Sequence, residues 1–286
     1  MTNGNERVWS IVLAAGDGRR LAALTTDAQG NAVPKQFCSF AGMHAGNVIV
    51  QPRNCGTANG ILLALLGILN RDPLAHVVFL PADHYVQDEA TMATGLEQMV
   101  EHLQRHSGHL VLLGIKPDEA DPELGYILPG AGLAPGLHAV TRFVEKPTAE
   151  RAHSLLREGA LWNSFIFAVQ GATLLGLIRE HLPDIVDAME TALARDAVQR
   201  EGRALQALYE QLPDVDFSRV IVQGAEERLR VVGTEPCGWT DLGTPKRVIE
   251  TLRRGRPAPA PWRRSIHMPP ALVTLASQRA LLQMVS

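Results

Sequence analysis

Four short apolar runs, set apart by stretches of helical periodicity, constrain this chain more than any other feature. Val8 to Ala15 (VWSIVLAA), Val77 to Leu80, Leu110 to Ile115 and Trp162 to Val169 each have the length and composition of a buried strand. Asp88 is placed to cap a helix running to about Arg105, with Met92, Leu96, Met99, Val100 and Leu103 on its inner face. Thr148 is placed to cap another, to about Glu158. Ile61 to Leu69 predicts a helix buried all round. Strands alternating with helices predict an α/β fold, a mainly parallel Rossmann-like sheet with helices on both faces.

Further along, Leu174 to Leu212 is helical in pattern, interrupted by Pro183 and Gly202, and Arg228 to Gly233 alternates like a strand. Gly255-Arg256-Pro257-Ala258-Pro259-Ala260-Pro261 is a stiff linker. The chain therefore divides into a domain over 1–254 and a Pro-rich linker and tail over 255–286, with a docked helix expected from Ala271.

Composition matters for what it excludes. With 46% hydrophobic and 20% charged residues the chain has enough apolar surface to fold. A net charge of -3 lacks the basic excess that tracks nucleic-acid phosphates, so no nucleic-acid partner is expected. The longest apolar run falls well short of the roughly 20 residues needed to cross a bilayer, so no membrane partner is expected either. Cys38, Cys55 and Cys237 form no CxxC pair and no disulfide framework, which fits a reducing, cytoplasmic setting.

The first apolar run ends in Gly16-Asp17-Gly18-Arg19-Arg20-Leu21. Its glycines let backbone N–H groups approach phosphate oxygens closely. A strand-ending turn is the plain alternative. A dinucleotide fingerprint is another, but it needs a helix opening at once and an acid about 20 residues on. Leu21 to Asn31 opens no such helix. Asp83, just past the second run, sits where the carboxyl end of a parallel strand binds ligands; alone it is equally a turn former.

Taken together, these motifs resemble the sugar-phosphate nucleotidyltransferases. The chain has LAAGDGRRL over 13–21 and then Pro34-Lys35-Gln36-Phe37, a variant most like that of mannose-1-phosphate guanylyltransferases. The resemblance continues in order through Gln51 to Ala58, Pro81-Ala82-Asp83-His84, Gly125-Tyr126-Ile127, FVEKP over 143–147, Trp162 to Phe167 and Gly238 to Pro245. It implies a nucleotide site of Ala14, Ala15, Gly16, Gly18, Gln51, Gly56 and Thr57. It implies Arg19 and Lys35 on the triphosphate, and Lys146 on the phosphate of a sugar 1-phosphate. Gly125, Tyr126, Glu145 and Asn163 would hold the sugar, and Asp83 and Asp241 a Mg²⁺ ion. The substrates implied are a nucleoside triphosphate and a sugar 1-phosphate, with guanine and mannose favoured by the PKQF variant. A glucose-type enzyme using UTP or dTTP, or a non-catalytic nucleotide-sugar-binding homologue, are the alternatives, and a homo-oligomer stays open.

Departures from the pattern carry expectations of their own. Ala23 replaces a frequent proline, Asn59 and Gly60 a more apolar helix start, and Phe165 a glycine in the sugar pocket. Only Cys38 to Val50 separates the PKQF motif from the base-recognition turn, where the family normally has a helix, a strand and a helix. A strand beside the first one is therefore expected to be missing or replaced. The spacing of His102, His106 and His109 invites a metal site, but His109 is read as the start of the next strand and the helical pair as a polar face, and Cys237 as a packing residue.

Overall fold

The computed structural model describes residues 8–14, 48–199, 202–254 and 272–277. In chain order these form β1 (Val8–Ala14), β2 (Val48–Gln51), α1 (Gly56–Leu69), β3 (His76–Pro81), α2 (Glu89–Arg105), β4 (Leu110–Ile115), β5 (Gly125–Ala134) and β6 (Leu137–Val144). There follow α3 (Ala149–Arg157), β7 (Leu161–Gln170), α4 (Gly171–His181), α5 (Pro183–Gln199), α6 (Arg203–Gln211), β8 (Leu229–Thr234), α7 (Pro245–Arg254) and β9 (Leu272–Ser277).

All nine strands share one sheet, ordered β2-β9-β1-β3-β7-β4-β8-β6-β5, with β5 also pairing with β7. The pairings make every strand except β6 and β7 run in one direction. The expected parallel character holds, with two reversed strands in its second half.

Strand periodicity sorts the core into two layers. Val77 and Phe79 of β3, and Leu110 and Leu112 of β4, face one cluster with residues of α1, α4 and α5. Val78, Val111 and Leu113 face the other, with Met92, Met99 and Leu103 of α2 and Ala152 and Leu155 of α3. Helices therefore cover both faces, as the pattern predicts. α1 is buried nearly all round, which its run of Ile61, Leu62, Leu63, Ala64 and Leu65 dictates. Asp88 caps α2 by accepting from the N–H groups of Ala90 and Thr91, and Thr148 caps α3 by accepting from that of Arg151.

The strand beside β1 comes from the far end of the chain. β9 lies parallel between β1 and β2, with Leu13 opposite Leu275 and Ile49 opposite the same residue. It takes the position that the shortened segment before Gln51 leaves without a neighbour. The expectation of a docked helix from Ala271 is thus corrected: residues 272–277 are a strand, and the sheet does not end at 254. An apolar run this short fits either state, and a slot with open backbone donors and acceptors on both sides selects the strand.

Candidate active site

The carboxyl ends of β1, β2 and β3 converge on one cavity of about 300 Å³. Its lining includes Gln51, Thr57, Asp83, Glu145, Lys146 and Asp241. Residues nearly two hundred positions apart thus meet at the place where open α/β sheets bind ligands.

The two aspartates are brought together by backbone. Tyr85 and Thr240 exchange N–H to carbonyl hydrogen bonds of 2.9 Å in both directions. Next to this bridge, His84 Nδ1 accepts from the indole N–H of Trp239 at 3.1 Å, and the two rings meet edge-to-face at 5.1 Å. Asp241 is held further by Arg247, whose guanidinium pairs with both Asp241 and Asp121, and by the N–H of Gly243 at 2.9 Å. Arg247 is only 12% exposed, so the clamp lies largely out of water.

Glu145 and Lys146 form the opposite wall. The Glu145 carboxylate is almost buried, its side chain 9% exposed, and stands 3.9 Å from the Lys146 ammonium. Burial, and next the nearby Asp216 carboxylate, push its pKa up to about 7, against the opposing pull of Lys146 and Arg219. Gly125 makes room for it: a Cβ there would stand 2.7 Å from Glu145 Oε2 and 3.2 Å from Asn163 Cβ. Asn163 in turn accepts the Phe165 N–H at 3.1 Å.

Backbone strain is concentrated here. Among the described non-glycine residues, positive φ occurs at Lys146 (46°), Phe165 (57°) and Leu242 (49°). Lys146 and Phe165 line the cavity and Leu242 follows Asp241. Side chains adopt this region at a cost of about 1–3 kcal/mol, so its confinement to one site points to function. The Phe165 ring is steadied edge-to-face on Phe167 and Phe217, which stack on each other, and Phe167 stacks in turn on Phe79.

On the nucleotide side, Gln51 is buried and its Oε1 accepts from the Tyr209 hydroxyl at 3.4 Å, while Thr57 Oγ1 accepts the N–H of Phe217 at 2.9 Å. Gly56 is outside the cavity lining. Its φ of 86° and a would-be Cβ 2.4 Å from the Val215 carbonyl make it a backbone requirement at the start of α1. Asn59 ties the same turn to the Cys55 and Pro213 carbonyls at 2.6 and 3.0 Å. Tyr126 is also outside the lining: its ring is fully buried and its hydroxyl engages the Asp121 backbone at 2.8 and 3.2 Å. Ala14 ends β1, and Ala15, Gly16, Gly18, Arg19 and Lys35 lie outside the described residues.

The profile of the nucleotidyl transferase family matches residues 40–254, three quarters of the chain. The chain belongs to this family. Among nucleotidyl transferases, it is 28% identical to mannose-1-phosphate guanylyltransferase from Sinorhizobium fredii over 206 residues, 71% of this chain and 40% of the relative. It is 35% identical to xanthan biosynthesis protein XanB of Xanthomonas campestris over 207 residues, 71% of this chain and 43% of the relative. The chain thus spans about two fifths of the length of the curated relatives it matches. The crystal structure of mannose-1-phosphate geranyltransferase from Thermus thermophilus superposes with a TM-score of 0.66 at 26% identity, covering 83% of this chain and 76% of that one. A UDP-glucose pyrophosphorylase complexed with UDP-glucose shares the nucleotidyl transferase fold, with a TM-score of 0.54 at 13% identity over 86% of this chain and 97% of that one.

Sequence reasoning missed two site residues. Arg247, which clamps Asp241, lies two positions beyond the motif that ends at Pro245 and belongs to none. Asp216, which faces Glu145, sits in a loop without a motif. Phe165, expected in the sugar pocket, does line the cavity, and only its positive φ is new from the structure. Cys237 is buried, as expected of a packing residue, and its thiol pKa is pushed up by burial. No helix among the described residues is long and apolar enough to cross a membrane.

Proposed function

We propose that this protein is a sugar-1-phosphate nucleotidyltransferase, which forms a nucleoside-diphosphate sugar and pyrophosphate from a nucleoside triphosphate and a sugar 1-phosphate. One observation carries the reading: Asp83, Asp241, Lys146 and Glu145 line a single cavity with Gln51 and Thr57. GTP and mannose 1-phosphate are the preferred pair, supported by the PKQF motif and by the name of the Sinorhizobium fredii relative at 28% identity. We assign the activity to the cytoplasm, consistent with the free, buried Cys55 and Cys237.

A phosphate oxygen of the sugar 1-phosphate attacks the α-phosphorus of the triphosphate in line. A new P–O bond forms, the α–β bridging P–O bond breaks, and pyrophosphate leaves with the electron pair. The nucleophile is already ionised near neutral pH, so no general base is needed. The obstacle is charge: two unit charges 4 Å apart at an effective dielectric near 20 repel by about 4 kcal/mol. Lys146 supplies one cation on the sugar-phosphate side, and Arg19 and Lys35 carry that role to the triphosphate by their motifs. Lys146 enters the cavity wall from a backbone at positive φ, with its ammonium 3.9 Å from the Glu145 carboxylate. Glu145, backed by Gly125 and Asn163, accepts sugar hydroxyls. Gln51 and Thr57 face the base.

Asp83 and Asp241 fit Mg²⁺, which takes one or two carboxylates and completes its shell with water and substrate phosphates. Among the described residues no group of three or more His, Cys, Asp or Glu is arranged to hold a metal, so the pair would depend on substrate oxygens to complete the shell. Magnesium, when bound, would neutralise charge building on the phosphate oxygens. The test is pyrophosphate release measured across paired triphosphates and sugar 1-phosphates. The fastest turnover is expected with GTP and mannose 1-phosphate. Release with a different pair reassigns the specificity, and release with none leaves a binding protein.

A further inference from the structure

A second cavity, of about 540 Å³, opens at the opposite end of the strands, where β4 and β8 begin. One wall is mainly basic: His102, Arg105 and His106 from the end of α2, His109 just before β4, and Arg230 on β8, with Glu101 of α2 as the acidic residue in the lining. The facing wall is the tip of the β5–β6 hairpin, with Leu133 half exposed at 51%. The three imidazoles crowd together, with ring centroids 4.9, 5.5 and 6.5 Å apart.

Arg230 is the informative group. Its Nη1 donates to the carbonyls of Glu227 and Leu229 at 3.0 and 2.7 Å, and its Nη2 to His109 Nε2 at 2.7 Å. Its Nε is buried without a partner, and no carboxylate pairs with it among the described residues. Because His109 Nε2 accepts, the ring proton sits on Nδ1, which is also buried without a partner, as is His102 Nε2. Orphaned polar atoms are uncommon in folded proteins, and several side by side mark a place where something is missing.

Two plainer readings fall short. The carbonyl end of α2 favours basic side chains in its last turn, which accounts for His102 and Arg105. It does not account for Arg230, which arrives on a strand. Three histidines also suggest a metal, but Arg230 already occupies one imidazole nitrogen and its charge repels a cation. Burial first, and then the neighbouring His106, His109, Arg230 and Arg105, hold the His102 pKa down at about 4, a sign of positive potential in the cluster.

We propose that this cavity is a second ligand site that takes a small phosphomonoester, its phosphate on Arg105 and Arg230 and its carbon body against the β5–β6 hairpin. The exposed guanidinium fork of Arg105 suits phosphate oxygens, Arg230 adds its charge and the Nη2–H that His109 leaves unused, and the apolar hairpin wall suits an organic substituent better than a bare ion.

The test uses the full chain and imidazole NMR signals, assigned by single His→Gln substitutions, during titration with phenyl phosphate. His84, in the catalytic cavity, reports binding there separately. The signals of His102, His106 and His109 should shift saturably, and Arg105→Gln with Arg230→Gln should weaken that response about tenfold or more while leaving the His84 response unchanged. Should the double variant fail to fold, Arg105→Gln alone, at an exposed position, should still weaken it severalfold. Three silent rings, shifts reproduced by chloride at equal ionic strength, or equal shifts in the variants would overturn the assignment.

Discussion

Tyr85 and Thr240 are locked to each other by a reciprocal pair of backbone hydrogen bonds, each 2.9 Å long. Neither side chain has a chemical role in the bridge. Its effect is to set Asp83, two residues before Tyr85, beside Asp241, one residue after Thr240. Because the link is made of main chain, the carboxylates can be altered without dissolving the geometry that unites them, and the first prediction uses this.

Asp83→Asn and Asp241→Asn should each cut pyrophosphate release by roughly a hundredfold or more, the scale on which lost charge stabilisation is felt. Asp241→Asn should also lower stability. Asp241→Asn removes a carboxylate from a largely buried Arg247 and should cost about 1–3 kcal/mol in urea melts. Melting of Asp241→Asn indistinguishable from that of the unsubstituted protein would contradict the clamp.

Glu145 makes stability depend on pH in an identifiable window. Its folded pKa of about 7 lies above the ordinary 4.5, so the folded protein keeps a proton that the unfolded chain has released. The contribution is fully present below pH 4.5 and is lost as pH rises through 7, by on the order of 3 kcal/mol. Glu145→Gln should flatten that part of the pH profile of thermal melting. Asp216→Asn should move the midpoint down, since one of the two causes of the raised pKa disappears. A wild-type profile already flat between about pH 5 and 8 would count against both.

Phe165 separates strain from packing. Phe165→Gly removes the ring but relieves a φ of 57°, whereas Phe165→Ala removes the ring and keeps the strain. The glycine variant should therefore be the more stable of the two by about 1 kcal/mol, reversing the usual order of these residues in a strand. Denaturant unfolding of the pair decides it. The same variants should change KM for the sugar 1-phosphate more than KM for the triphosphate.

The strand β9 should matter to the nucleotide side. Leu275→Pro removes an N–H from a strand paired on both edges and should destabilise the protein by about 3 kcal/mol or more. Because β2 ends at Gln51, milder disruption of β9 should raise KM for the triphosphate before it affects the sugar 1-phosphate. A chain ending before residue 272 that melts and turns over normally would show that β9 is dispensable.

Much of this architecture was legible in the residues themselves. The apolar runs marked β1, β3, β4 and β7, Asp88 and Thr148 marked the starts of α2 and α3, and the ordered motifs singled out Asp83, Glu145, Lys146 and Asp241. Such signals are local: they depend on spacing along the chain, on a cap one turn away, or on a turn residue.

Tertiary structure decided what depends on distant partners. Residues 272–277 carry an apolar run compatible with helix or strand, and only the open slot between β1 and β2 selects the strand. Tyr126 and Gly56 belong to the motifs, yet packing turns one into core and the other into a backbone joint. Arg247, Asp216 and the basic cavity around Arg230 become visible only when chain segments far apart in sequence are set against each other. Side-chain chemistry is written residue by residue, but burial and charge pairing belong to the neighbours that folding supplies.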